Sequence, residues 1–102
     1  KPRPIGDLAL NNTYTDLQLD ADGRARTRLR DPKSGSGIAV WQEKGVMLVF
    51  TSDTADRDAR KSVALEPMEC MADAFNRDDC TPLITLQAGE EKRFVCGVEF
   101  DR

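Results

Sequence analysis

Val46-Met47-Leu48-Val49-Phe50 is an unbroken run of five apolar residues, preceded by Lys44-Gly45 and followed by Thr51-Ser52. Five residues are too few for a helix, and a short apolar run between turn residues reads as a strand. Successive side chains of a strand face opposite sides, so apolar character at every position predicts burial on both faces. That is the place of a central strand in a two-layer structure. Outward toward the N-terminus, Val40 and Trp41 carry the nearest apolar content. The Lys44-Gly45 pair predicts a tight connection that lets the two runs pair with each other. Outward toward the C-terminus, residues 52–61 are polar and aperiodic and read as a loop. Val63-Ala64-Leu65 then predicts a second short buried strand. Pro67 removes a backbone donor and pushes Glu66 toward extended geometry, so this strand is expected to stop with Glu66 held at its end.

The remaining punctuation continues the pattern. Asp20-Ala21-Asp22-Gly23 predicts an Asp-Gly turn, and residues 31–37, with Asp31-Pro32 and two glycines, predict a longer one. The two turns bracket a strand. Residues 71–76 allow one helical turn, and residues 82–86 and 93–100 are expected to form two further strands joined at Ala88-Gly89. Strand-sized runs separated by short turns, with no internal repeat, predict an all-β chain folded as an antiparallel β-sandwich.

Charge and composition narrow the function classes. The chain has 102 residues, 39% of them hydrophobic, which suits one domain with a core. Fifteen basic and eighteen acidic residues give a net charge of −3, with the signs interspersed. Nucleic acid is not expected as a partner, because a phosphate-binding surface needs clustered Lys and Arg with interleaved aromatics. The densest basic stretch places Arg24, Arg26, Arg28 and Arg30 on one face of a strand. It reads as the solvent face of an antiparallel sheet, balanced by Asp20, Asp22 and Asp31. No window reaches the roughly 20 apolar residues of a membrane span, and residues 1–4 carry no signal-peptide apolar run, so a cytoplasmic protein without a membrane partner is expected. Cys70, Cys80 and Cys96 lack zinc-site spacing, and the chain has no histidine, so no metal or other cofactor is expected. An odd number of cysteines favours free thiols, with Cys96 as a small core residue of the last strand. A Cys70–Cys80 bridge stays open, since sequence separation does not supply the geometry a disulfide requires.

Glu66 is the candidate chemical group. A carboxylate fixed beside an apolar strand, partly desolvated and aimed into a cleft, is suited to general base work. The competing reading is an exposed glutamate at a strand end, in keeping with how seldom charged residues are buried unpaired.

Five segments in order resemble the C-terminal part of the aldose 1-epimerase (galactose mutarotase-like) family. They are Leu10-Asn11-Asn12-Thr13-Tyr14-Thr15-Asp16-Leu17; the hairpin of residues 24–31 and 37–42 around an Asp-Pro-x-Ser-Gly turn; Val46-Met47-Leu48-Val49-Phe50-Thr51; Ala64-Leu65-Glu66-Pro67-Met68; and Ala74-Phe75-Asn76 with the later Leu86-Gln87-Ala88-Gly89-Glu90. The resemblance covers nearly all of the chain. It implies that residues 1–102 are the C-terminal segment of a larger galactose mutarotase-like supersandwich. It also implies an isomerase that interconverts the anomers of an aldose by acid/base ring opening. Glu66 matches the family's general base, while the histidines of the family, including its general acid, belong to an N-terminal part. The 102 residues alone are therefore expected to be inactive. Asn11 stands where many relatives have a sugar-binding aspartate, Phe50 offers an apolar wall to the sugar ring or else belongs to the core, and Asn76 is a further sugar contact or a turn-forming amide. Met68 stands where the best-characterised relatives have glutamine, which leaves the sugar open. A sugar phosphate would need a basic cluster, for which Arg57, Arg60 and Lys61 are the nearest candidates. The expected partners are a monosaccharide or related carbohydrate, and either an N-terminal remainder or further copies of the chain to cover the apolar faces. A carbohydrate-binding or structural β-sandwich segment without catalysis is the alternative.

Overall fold

The computed structural model describes residues 2–101. Six strands, β1 (Asn11–Tyr14), β2 (Ala25–Arg30), β3 (Gly37–Gln42), β4 (Val46–Phe50), β5 (Ala64–Met68) and β6 (Cys96–Asp101), form two three-stranded sheets. The first sheet has the order β1-β4-β5 and the second β2-β3-β6, with every pair antiparallel. The fold is all-β and sandwich-like, as the punctuation of the sequence predicts, and β4 is the central strand of its sheet.

The hairpin of β2 and β3 forms where expected, Ala25 opposite Gln42 and Arg30 opposite Gly37. Its loop is closed by Asp31, whose carboxylate accepts the Lys33 and Ser34 amides and whose carbonyl accepts the Gly35 amide. The arginines in and just before β2 divide their labour. Arg26 is 13% exposed and binds Asp20, Asp22 and Glu99 at 2.8, 2.6 and 2.6 Å. Arg24 lies 3.8 Å over the Trp41 ring, and the ring lies against Gly97, its partner across the ladder. A side chain at Gly97 would collide with the indole, so the glycine lets Trp41 lie flat on the backbone of an edge strand.

Several expectations are corrected. β3 and β4 do not pair: the chain turns a corner at residues 43–45 and passes from one sheet to the other. The buried Gln42 amide donates to the carbonyls of Lys44 and Val46, and Gly45, at φ 90°, is pressed so closely on the Met68 carbonyl that no Cβ would fit. A hairpin turn would leave those groups to the ladder; here the side chain and β5 take them. The strand expected to end at Glu66 runs through Pro67 to Met68. β5 is an edge strand, where a residue without an N–H forfeits no bond on the outward side. Residues 82–86 are not a strand. Thr81–Ile84 is one turn of helix with Pro82 at its start, a position where the missing N–H is not needed, and 3-10 turns at Ala74–Asn76 and Asp78–Cys80 precede it. The last strand starts at Cys96 rather than residue 93, and Cys96 is exposed, since β6 is an edge. All three cysteines are free, Cys80 alone being buried.

The core is small: Ala25, Ala39, Val40, Met47 and Cys80 are the buried apolar residues. Of β4 only Met47, at 1% exposure, is enclosed, while Val46, Leu48, Val49 and Phe50 are half-buried. The radius of gyration, 15.7 Å, exceeds the roughly 13 Å of a compact domain of this length. The extents of 51 × 36 × 21 Å describe a flat body that leaves sheet faces open.

Candidate functional site

The register of the first sheet decides which side chains share a surface. Residues paired across an antiparallel ladder lie on the same face, and so do residues two apart along a strand. Asn11 is opposite Phe50, which is opposite Ala64; Thr13 is opposite Leu48, which is opposite Glu66; Val46 is opposite Met68. Asn11, Thr13, Phe50, Leu48 and Glu66 therefore stand on one face. Three of the four residues singled out from the sequence are brought together by pairing alone. With strands about 4.8 Å apart and a rise of about 3.4 Å per residue, the Asn11 and Glu66 backbones lie about 12 Å apart diagonally across the sheet.

The chemistry of this face is simple. Glu66 and Asn11 are exposed and Thr13, Leu48 and Phe50 half-buried, so a carboxylate, an amide and a hydroxyl surround an accessible apolar strip. The Glu66 carboxylate takes no hydrogen bond or ion pair among the described residues. It is not the desolvated strand-end carboxylate in a cleft that the sequence suggests: it is central in β5 and open to solvent. Phe50 is half-buried and is not among the buried apolar residues of the core. Glu66 is also the sole titratable group in the paired rows of this face. The face can accept a proton at one place and contains no second acid to deliver one.

Asn76 lies elsewhere, in the 3-10 turn at Ala74–Asn76, and its amide donates to Asp73 at 2.7 Å. It is a turn-forming amide. Of the basic residues nearest in sequence to Glu66 for a phosphate, Arg60 is committed: it binds Asp53 at 2.6 Å and donates to the carbonyls of Leu8 and Gly6 at 2.9 Å each. The Asp53 carboxyl accepts from the Thr51 hydroxyl and from Arg60, and both hold its pKa below the usual carboxylate value. These contacts fasten the N-terminal segment to the end of β4.

A concavity of about 420 Å³ opens where the Glu66 face ends, at Val46, and is lined also by Lys44, Gly45, Glu69, Cys70, Leu83 and Lys92. Lys44 pairs with Glu69 at 3.1 Å, and Lys92 donates to the carbonyls of Pro82 and Leu83. The sequence gives no sign of this group, since four separated segments supply it. Among the described residues no set of three or more His, Cys, Asp or Glu side chains is placed to hold a metal ion, and no helix is long and apolar enough to cross a membrane. Comparison with family models, with curated proteins and with solved structures finds no match.

Proposed function

We propose that the chain is the base-bearing part of an aldose 1-epimerase-like isomerase, with Glu66 as the group that takes the proton from the anomeric hydroxyl of a pyranose. The observation that supports this reading is the register that sets Asn11, Phe50 and Glu66 on one open face. A pyranose has an apolar flank and a polar rim, and Phe50 and Leu48 offer a surface to the former. Asn11 and Thr13 offer hydrogen bonds to the latter, and an amide can donate and accept at once. Ring opening needs proton removal at the anomeric oxygen and proton delivery at the ring oxygen. Only the first can be done from this face, so in this proposal the donor is a group outside these 102 residues.

Glu66→Gln keeps the shape of the side chain but cannot accept the proton. In a protein that joins this segment to its proton donor, polarimetry of a pure anomer should show a loss on the order of 10²–10⁴ in rate, with thermal stability unchanged because Glu66 is exposed. Retained activity would remove Glu66 from the mechanism. The 102-residue chain alone should not accelerate mutarotation. Adding an aldose should shift the backbone NMR signals of Asn11, Leu48, Phe50 and Glu66, and shifts confined to other segments would overturn the site.

The second reading, a carbohydrate-binding β segment without catalysis, is favoured by one observation: among the described residues no acid partner shares the paired rows with Glu66. Sugar-induced shifts unaltered by Glu66→Gln, with no mutarotation in any longer form, would select it.

A further inference from the structure

Two three-stranded sheets have four edges, and three of them are blunted against strand addition. β1 is only four residues long and begins Asn11-Asn12. β5 contains Pro67, which cannot donate to a new ladder. β2 carries Arg26, Arg28 and Arg30, and cationic side chains on an edge discourage pairing. β6 has none of these devices. Its six residues, Cys-Gly-Val-Glu-Phe-Asp, pair with β3 along their whole length, contain neither proline nor Lys or Arg, and among the described residues meet no strand on the other side. Val98 and Phe100, on one face of that edge, are 67% and 88% exposed.

We propose that β6 is the surface through which two copies of this chain associate, edge to edge and antiparallel, giving one six-stranded sheet across a two-fold axis. A two-fold along the sheet normal keeps the same face of both copies on the same side and closes the assembly at two. The sequence of β6 also selects the register. Centring on Glu99 would set two like carboxylates directly opposite each other, which is destabilising. Centring on Val98 sets Val98 against Val98 and brings the exposed Phe100 of each copy beside the exposed Cys96 of the other. Glu99 then faces Gly97, with its charge already held by Arg26 at 2.6 Å. A net charge of −3 offers little repulsion between copies. The proposal does not depend on the aldose reading, since β6 belongs to the other sheet.

An interface of one strand falls at the small end of specific contacts, so a micromolar or weaker dissociation constant is expected. Sedimentation equilibrium of the 102-residue chain up to about 1 mM should show a monomer–dimer equilibrium, and outward-facing β6 amides should exchange more slowly as concentration rises. Val98→Lys places two ammonium groups against each other across the axis and should weaken the dimer about tenfold or more. Phe100→Ser, at a residue already exposed in the single copy, is the second variant in case the first disturbs folding. Leu86→Lys, at an exposed apolar residue outside β6, should leave the dimer intact. A monomer throughout the range, open-ended assembly, or equal weakening by Leu86→Lys would each overturn the proposal.

Discussion

Gly97→Ala tests the packing of the second sheet at a single point. The added Cβ would lie 2.6, 2.7 and 2.8 Å from Cζ2, Cε2 and Nε1 of Trp41. Carbon atoms pack comfortably at about 3.5–4.0 Å, so the indole must recede by about 1 Å. Such a shift also disturbs the Arg24 guanidinium, which lies 3.8 Å from the centre of the ring. Overpacking of this kind costs about 1–3 kcal/mol, and displacing Arg24 adds about 0.5–1 kcal/mol of lost cation–π attraction. The expected destabilisation is therefore about 1.5–4 kcal/mol. Trp41 is the only tryptophan of the chain, so its emission reports the displacement directly while urea unfolding gives the free energy. In a double-mutant cycle, Trp41→Leu should relieve most of the cost of Gly97→Ala, because the obstructing ring is gone. Unchanged emission with a cost under about 0.5 kcal/mol, or a cost that survives Trp41→Leu, would refute the account of Gly97 as the seat of the indole.

Other perturbations probe other parts of the chain. Met47→Ala should cost about 2–5 kcal/mol in urea unfolding, since Met47 is the one enclosed side chain of β4, whereas Leu48→Ala on the open face should cost clearly less. Arg26 holds Asp22 by hydrogen bonds and lowers its pKa from 3.8 to about 2. The unfolded chain therefore takes up this proton first, so the stabilisation is complete above about pH 4 and is lost as pH falls from 3.8 toward about 2. Unfolding midpoints across that window should converge for the wild type and Asp22→Asn at the acid end and separate above it. Arg60→Ala should release the carbonyls of Gly6 and Leu8 and speed hydrogen exchange at the Leu8 and Leu10 amides, with a global cost of about 1 kcal/mol or less because the pair is partly exposed.

The sequence alone determined the elements whose signals are local. Turn residues at positions 20–23 and 31–37 set the β2–β3 hairpin, because Asp side chains and positive-φ glycines act within a few residues of themselves. The apolar run at 46–50 predicts a central strand, which β4 is, but the burial on both faces that it also predicts is not found, since only Met47 of the five is enclosed. Glu66 is singled out by its local pattern, and Asn11 and Phe50 only by the resemblance to a known family; the three span 55 positions. What put those three on one face was the register of β1-β4-β5, a long-range pairing that no local pattern encodes. The same limit explains the errors. Lys44-Gly45 has the chemistry of a hairpin turn, yet Gln42 and the Met68 carbonyl make it a corner between sheets. Pro67 has the chemistry of a strand stop, yet an edge position makes it harmless. Strand membership, a local property, predicts Cys96 as core, while its exposure depends on β6 having a neighbour on one side only. Local backbone chemistry decides where a strand can form; its partners, its open side and the company of its side chains come from tertiary packing.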